Sequence, residues 1–252
     1  MTPHDYLCGV LISQDMGRED LRIIRTLRGQ VEGALRQQLG AAPRMYYGGS
    51  YGKGTMIREA FDLDLVVYYP HTEVATLGAV YGTVHNALIK TGYTVEPKTV
   101  ALRLPYRAAF HVDVVPGKAH DSTFRYATLF KNTTPVSSLQ TSLKVHIEEV
   151  KATGLAPIVR LLKVWRLRHN VPLTTFALEI VARRALSGQR RDDYAEALRV
   201  VWRFMQSSLS TARLVDPANT NNILELSATD RLLAVQQASN ALNAQLWNDI
   251  VW

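Results

Sequence analysis

Asp62 and Asp64 stand two residues apart in the run Phe61-Asp62-Leu63-Asp64-Leu65-Val66-Val67. On a β-strand that spacing turns both carboxylates to one face and Leu63 and Leu65 to the other. A third acid, Asp113, sits in His111-Val112-Asp113-Val114-Val115, again among apolar β-formers. An unpartnered carboxylate in a buried strand is strongly destabilising. Three that converge repel one another unless cations lie between them. Magnesium suits such a set, because it takes carboxylate oxygens and leaves coordination positions for phosphates. Two such ions, with manganese as a substitute, can stabilise both the attacking and the leaving oxygen of a phosphoryl or nucleotidyl transfer. A lone D-x-D pair would equally suit the solvent face of an edge strand, so its neighbours decide.

Seven residues before Asp62 a glycine-rich stretch ends, Gly48-Gly49-Ser50-Tyr51-Gly52-Lys53-Gly54-Thr55. Read as a loop, it offers backbone N–H groups to a phosphate, with the Ser50 hydroxyl as a further donor. It is not a Walker P-loop, since Gly54 and not Ser or Thr follows Lys53. A glycine loop, then a D-x-D strand, then a third acid is far more specific than any of its parts.

The elements that must position these groups follow from periodicity. Leu21, Ile24, Leu27, Val31, Leu35 and Leu39 recur at helical steps from about Glu19, and Gly40 and Pro43 stop the pattern. Strands are predicted over Phe61–Tyr69, Thr94–Leu104 and Ala109–Val115, the last ended by Pro116-Gly117, with a helix over Val74–Thr91 between. Beyond about Thr141 the period is helical, with helices expected over Ile158–His169, Thr174–Leu186, Asp193–Leu209 and Thr229–Val251. Asp216-Pro217-Ala218-Asn219 reads as a turn into a helix, with Asp216 as its N-cap. The expected fold class is therefore α/β (α+β) with two lobes, a mixed-sheet lobe and an all-helical C-terminal lobe. The boundary falls at about residue 138, giving lobes of 1–138 and 139–252.

Composition bounds the function classes. The chain has 252 residues, 47% hydrophobic and 20% charged, which excludes a disordered chain. The formal net charge of +7 is concentrated between Lys144 and Arg213, where 13 basic residues face 6 acidic ones. Such a surplus suggests polyphosphate or nucleic acid, or else a solvated basic helical face. One cysteine, Cys8, excludes an internal disulfide and a multi-cysteine zinc site. No run approaches the ~18 apolar residues of a membrane span, and the first dozen residues lack the basic start of a secretory signal. A soluble cytoplasmic protein, monomeric and without a membrane partner, is expected. His111 reads as structural, and Trp165, Trp202, Trp247 and Trp252 as packing residues.

Taken together, G-G-S-Y-G-K-G-T, F-D-L-D-L-V-V and H-V-D-V-V-P resemble the core of the DNA polymerase β-like nucleotidyltransferases. The similarity is to the branch holding 2′-5′-oligoadenylate synthetases, cyclic GMP-AMP synthase and the bacterial CD-NTases. Ala156–Arg168, Pro172–Ala185 and Val215–Leu224 resemble blocks of that branch's C-terminal lobe, so the likeness runs from about Asp20 to the end. It implies that Asp62, Asp64 and Asp113 bind the metals as the catalytic triad. Gly49 and Ser50 would bind the triphosphate of a donor NTP, ATP among them, and Lys163 would reach the same phosphates. It also implies a long N-terminal helix packed across both lobes. Phe61 stands where a serine is usual, and Thr174 or Thr175 falls where the branch reads the donor base. On the residues alone, Lys163 could equally be a surface lysine of an amphipathic helix.

The activity so implied is template-independent nucleotidyl transfer. The acceptor could be a second nucleotide, giving a cyclic or linear second messenger in bacterial anti-phage signalling. It could instead be tRNA or another macromolecule, as in a tRNA-end enzyme or toxin. A degenerate RNA-binding scaffold is the non-enzymatic alternative. The basic surplus also allows an activating RNA.

Overall fold

The computed structural model describes residues 1–107 and 110–252. Ala109, where the third expected strand begins, lies outside the described residues. The chain divides into two compact units, one of residues 16–56 and 60–148 and the other of residues 1–15, 57–59 and 149–252. The first helix, α1 (Pro3–Ser13), belongs to the second unit and has no counterpart in the periodicity reading. A capping box of Thr2 and Asp5 and a proline in its first turn start it.

The first unit is built on a sheet. Helix α2 (Arg18–Leu39) turns Ile24, Leu27, Val31 and Leu35 into the core and ends at Gly40, whose φ of 68° suits a residue without Cβ. Strand β1 (Arg44–Tyr47) is followed by a short helix, α3 (Gly49–Lys53), and then by β2 (Leu63–Tyr69) and α4 (Leu77–Lys90). Next come β3 (Glu96–Pro97), β4 (Leu102–Arg107), β5 (Phe110–Ala119), β6 (Ala127–Lys131) and β7 (Ser137–Thr141). Among the described residues the sheet has seven strands, ordered β1-β2-β5-β4-β3, with β6 joining β5 and β7 joining β6. Only the β2–β5 pair within it is parallel, which makes the sheet mixed as expected.

Alternation along β2 sorts its side chains. Leu63, Leu65 and Val67 join Val112 and Val114 of β5 in the core shared with α2 and α4. Val66 and Tyr68 pack on the opposite face with Ala127 and Leu129 of β6. Burying one such aliphatic side chain is worth about 1.5–3 kcal/mol, which fixes the strand's register and hence the face that Asp64 takes.

Two expectations about these strands need correction. Asp62 lies just before β2, whose ladder begins at Leu63. Pro116-Gly117 do not end β5, which runs on to Ala119. Proline is tolerated because β5 changes neighbour there, pairing with β4 up to Val114 and with β6 from Gly117. Gly117 is required by packing, since a Cβ would come within 2.7 Å of the Leu129 side chain.

Helix α5 (Leu143–Ala152) leads into the second unit, which holds α6 (Ala156–Arg168), α7 (Thr175–Ala185), α8 (Tyr194–Ser208) and α9 (Ala228–Asn243). Thr174, Asp193 and Ser227 cap the last three, each side-chain oxygen accepting from a first-turn N–H. Trp165 and Trp202 are fully buried with ring centroids 5.8 Å apart. Trp252 is 47% exposed and packs instead against Arg168 and His169.

This unit is not all-helical. Val215–Leu224 forms an antiparallel hairpin of β8 (Leu214–Asp216) and β9 (Asn219–Leu224), where a turn into a helix is expected. Asp216 is buried and closes that turn, its carboxylate accepting from the Ala218 N–H at 2.7 Å and from Asn222 Nδ2 at 3.0 Å. Local hydrogen bonding of this kind stabilises a tight turn as readily as a helix start, and β-pairing decides between them. The last helix also stops at Asn243, short of Val251. The chain turns so that Ile250 and Val251 are buried, with the Val251 carbonyl accepting from the Tyr6 hydroxyl at 2.9 Å.

Candidate active site

The register of the parallel pair sets Asp64 directly beside Asp113. The two carboxylates therefore share one face of the sheet, opposite the core of α2 and α4. Asp62 reaches the same place from the residue before β2. Burial, then the Asp113 charge, then the Asp62 charge push the Asp64 carboxyl up to about 6, against the opposing pull of Lys53 and His111. The like charges that spacing alone suggested do converge.

The glycine-rich stretch forms α3 and not an open loop, with Gly49 and Ser50 as its first two residues. Gly48 N–H donates to the Asp64 carbonyl at 2.8 Å, tying the start of α3 to β2. Gly49 has φ 48°, and a Cβ there would lie 1.6 Å from Asp64 Oδ2. No other residue fits without moving the carboxylate. Gly52 is also confined, since a Cβ there would lie 2.9 Å from the Tyr47 carbonyl. Tyr47 stacks on Tyr51 at 4.2 Å, and the Arg28 guanidinium covers Tyr47 at 3.8 Å. This stack pins α3 to β1 and α2. Lys53 closes the short helix and is buried at 8% exposure, which places a cation in the acidic neighbourhood.

Two residues without an assigned role complete the arrangement. Arg103 of β4 is the cross-strand partner of Asp113 and donates to it through both arms of its fork, Nε to Oδ1 and Nη2 to Oδ2, each at 2.9 Å. His111 places Nδ1 3.0 Å from Asp62 Oδ1 and Nε2 3.5 Å from Asp113 Oδ2. Its structural reading thus gives way to a place between two of the acids. No local signal marks Arg103, since a cation alternating with Leu102 and Leu104 suits any strand with a solvated face, and only the register of β4 on β5 brings it to Asp113.

The carboxylates fit a hard divalent ion by donor type, and the raised Asp64 value, due first to burial and then to the neighbouring carboxylates, marks a charge that a cation would stabilise. Among the described residues no three His, Cys, Asp or Glu side chains already stand as a ligand set; Arg103 engages Asp113 and His111 engages Asp62. Lys163 lies on α6 in the other unit and is 4% exposed, so it is not a surface lysine. Thr174 is occupied as the N-cap of α7, accepting from Ala177 N–H at 3.1 Å. No helix of the described residues is long and apolar enough to cross a membrane.

This fold is that of the CD-NTases, in the nucleotidyltransferase branch that the sequence motifs resemble. No family model matches the chain. A cyclic AMP-AMP-AMP synthase of Escherichia coli (strain MS 115-1) is 27% identical over 191 residues, covering 68% of this chain. The chain spans 59% of the length of that curated relative. Among solved structures, Escherichia coli MS115-1 CdnC with ATP matches with a TM-score of 0.75 at 21% identity, covering 96% of this chain and 91% of that one. Elizabethkingia meningoseptica CdnE, a cyclic dinucleotide synthase solved with GTP and Apcpp, matches at 0.74 and 18% identity, covering 97% and 100%.

Proposed function

We propose that the protein is a template-independent, metal-dependent nucleotidyltransferase that joins NTPs into a cyclic or linear oligonucleotide second messenger. The observation that carries this is the meeting of Asp62, Asp64 and Asp113 on one face of the sheet, against the glycine-only start of α3. Asp62, Asp64 and Asp113 would hold Mg²⁺, with Mn²⁺ as a substitute. Bound there, the metal would supply Lewis acidity to the phosphates and lower the pKa of the acceptor hydroxyl. The chain's own contribution is placement: Gly49 and Ser50 would receive the donor triphosphate, and Lys163, which matches the branch's lysine, would be a further point charge for phosphate. An acceptor ribose hydroxyl attacks the α-phosphorus and pyrophosphate leaves. The sheet unit would be the catalytic lobe and the helical unit its nucleotide-binding companion. A cyclic trinucleotide of the kind that the curated relative's name specifies is the first product to seek, and bacterial anti-phage signalling is the setting in which such a messenger would act.

A macromolecular acceptor or activating RNA drew its support from the basic surplus, and the structure gives much of that surplus other work. Arg160 bonds the Leu11 carbonyl and Asp15, Arg183 pairs with Glu149, and Arg191 bonds the Thr153 and Leu186 carbonyls.

The test incubates the protein with each α-labelled NTP in turn beside the other three unlabelled, then phosphatase, thin-layer chromatography and mass spectrometry. A phosphatase-resistant small product, absent from Asp64→Asn, is expected. Label appearing only on added tRNA or protein would replace the messenger by a macromolecular acceptor, and no transfer to anything would end the enzymatic reading.

A further inference from the structure

Arg103 is more than a strand-pairing residue. Its fork takes one lone pair from each oxygen of Asp113, and that carboxylate also meets His111 Nε2 at 3.5 Å. Asp113 is only 16% exposed, so little water competes for it. Each oxygen keeps a second lone pair, so an incoming cation would meet Asp113 beside a fixed positive charge and on a carboxylate whose orientation the fork already sets. The guanidinium is also a permanent positive charge at the rim of the acidic cluster, and an ion bound to Asp113 would repel it.

We infer that Arg103 is a positioning residue that competes with the divalent cation for Asp113 and so sets the metal affinity of the site. The inference rests on the metal-site reading proposed above. In the absence of metal Arg103 balances Asp113 and keeps its rotamer. A divalent cation held by Asp113 would be repelled by the neighbouring guanidinium and would draw the carboxylate away from the fork, so part of its binding energy would go into opposing Arg103. The direction follows: shortening or removing the fork weakens the apo protein and tightens metal binding. Lysine keeps the charge and loses the second donor, so it should fall between wild type and glutamine.

The experiment uses the full chain and Mn²⁺ as the probe, following the free-ion spectrum by electron paramagnetic resonance, with thermal unfolding in parallel. Wild type, Arg103→Gln and Arg103→Lys are compared, each with and without Asp64→Asn. Arg103→Gln is expected to bind Mn²⁺ on the order of tenfold tighter than wild type: losing an outer-sphere partner ordinarily costs affinity by about that factor, and here the partner lost is a cation that repels the ion, which reverses the sign. Arg103→Lys is expected between them. Melting of Arg103→Gln should be lower without metal, and its rise on adding Mn²⁺ should exceed that of wild type. Affinities equal to wild type, or weaker, in both variants overturn the inference while leaving the metal site standing. If Arg103→Gln does not fold, Arg103→Lys decides alone, by binding tighter than wild type or not. Mn²⁺ binding that is absent from all three, or that survives Asp64→Asn, overturns the metal-site reading itself.

Discussion

The acidic face of the sheet and the arginines of the helical unit handle charge in opposite ways. Around α6, α7 and α8 each guanidinium meets a local acceptor. Arg168 bonds Glu59 and the Trp252 carbonyl, Arg166 the Leu173 carbonyl, and Arg203 bonds Glu196. On the sheet three carboxylates crowd one spot, and even with Lys53 and His111 nearby Asp64 is driven up to about 6. Arginines that staple a fold find hydrogen-bond acceptors where they stand, some of them carboxylates and some backbone carbonyls. A buried Asp64 beside two further carboxylates is costly even with Arg103 and His111 engaging them, which is the ground for the metal site proposed above. Formal charge in the sequence does not separate the two regions, because a count does not distinguish hydrogen-bonded from crowded charge.

Breaking the acidic cluster should have the largest effect. Asp64→Asn is expected to lower nucleotidyl transfer by on the order of 10²–10³-fold or more, with the chain still folded by circular dichroism. Loss of activity together with loss of fold would place Asp64 with the stapling arginines instead. Gly49→Ala should come next, because the added Cβ meets the Asp64 carboxylate at a positive φ. Destabilisation of about 1–3 kcal/mol by denaturant unfolding is expected, with activity falling alongside.

The pH response sharpens the contrast further. Asp64 takes up its proton at about 6 in the folded chain, above its ordinary 3.8. The folded state thus binds more protons than the unfolded one between these values. Stability from this group is present below about 4 and is lost as pH rises through 6, by about 3 kcal/mol at most. Asp64→Asn should flatten that fall in metal-free denaturation measured from pH 4 to 7.5. A divalent ion should stabilise the wild type more at pH 7.5 than at pH 5, since it competes with the proton.

In the helical unit, Arg168→Met removes hydrogen bonds to Glu59 and the Trp252 carbonyl from a side chain 19% exposed. A loss of about 1–2 kcal/mol is expected, with kcat for a folded sample unchanged. Arg190 pairs with Asp192 at 88% exposure. Arg190→Ala should leave the melting temperature where it was, because an exposed pair is screened by water and salt.

Much of the site was legible before any coordinates. Asp62, Asp64 and Asp113 were recognisable because carboxylates amid β-formers conflict with local burial, and such conflicts mark function. The same alternation that exposed the conflict placed β2 and β5. Arg103 and Lys53 escaped notice because each is ordinary in its own segment. Only the register of β4 against β5 and the close of α3 bring their charges to the acids. The β8–β9 hairpin was missed for a related reason: Asp216 signals a turn, and whether a strand or a helix follows is decided by pairing with Leu214 and Val215.

From its own residues the chain determined the periodic helices, the in-and-out alternation of β2, the three acids and the glycines beside them. These are local properties, set by side-chain period and by the cost of burying charge. Tertiary structure decided which charges would be neutral and which would not. It set Asp64 beside Asp113 and closed Arg103 on Asp113. It also consumed much of the basic surplus of the helical unit in carbonyls and carboxylates. Charge compensation depends on distances between residues remote in sequence, and those distances exist only once the sheet has its register and the helices their packing.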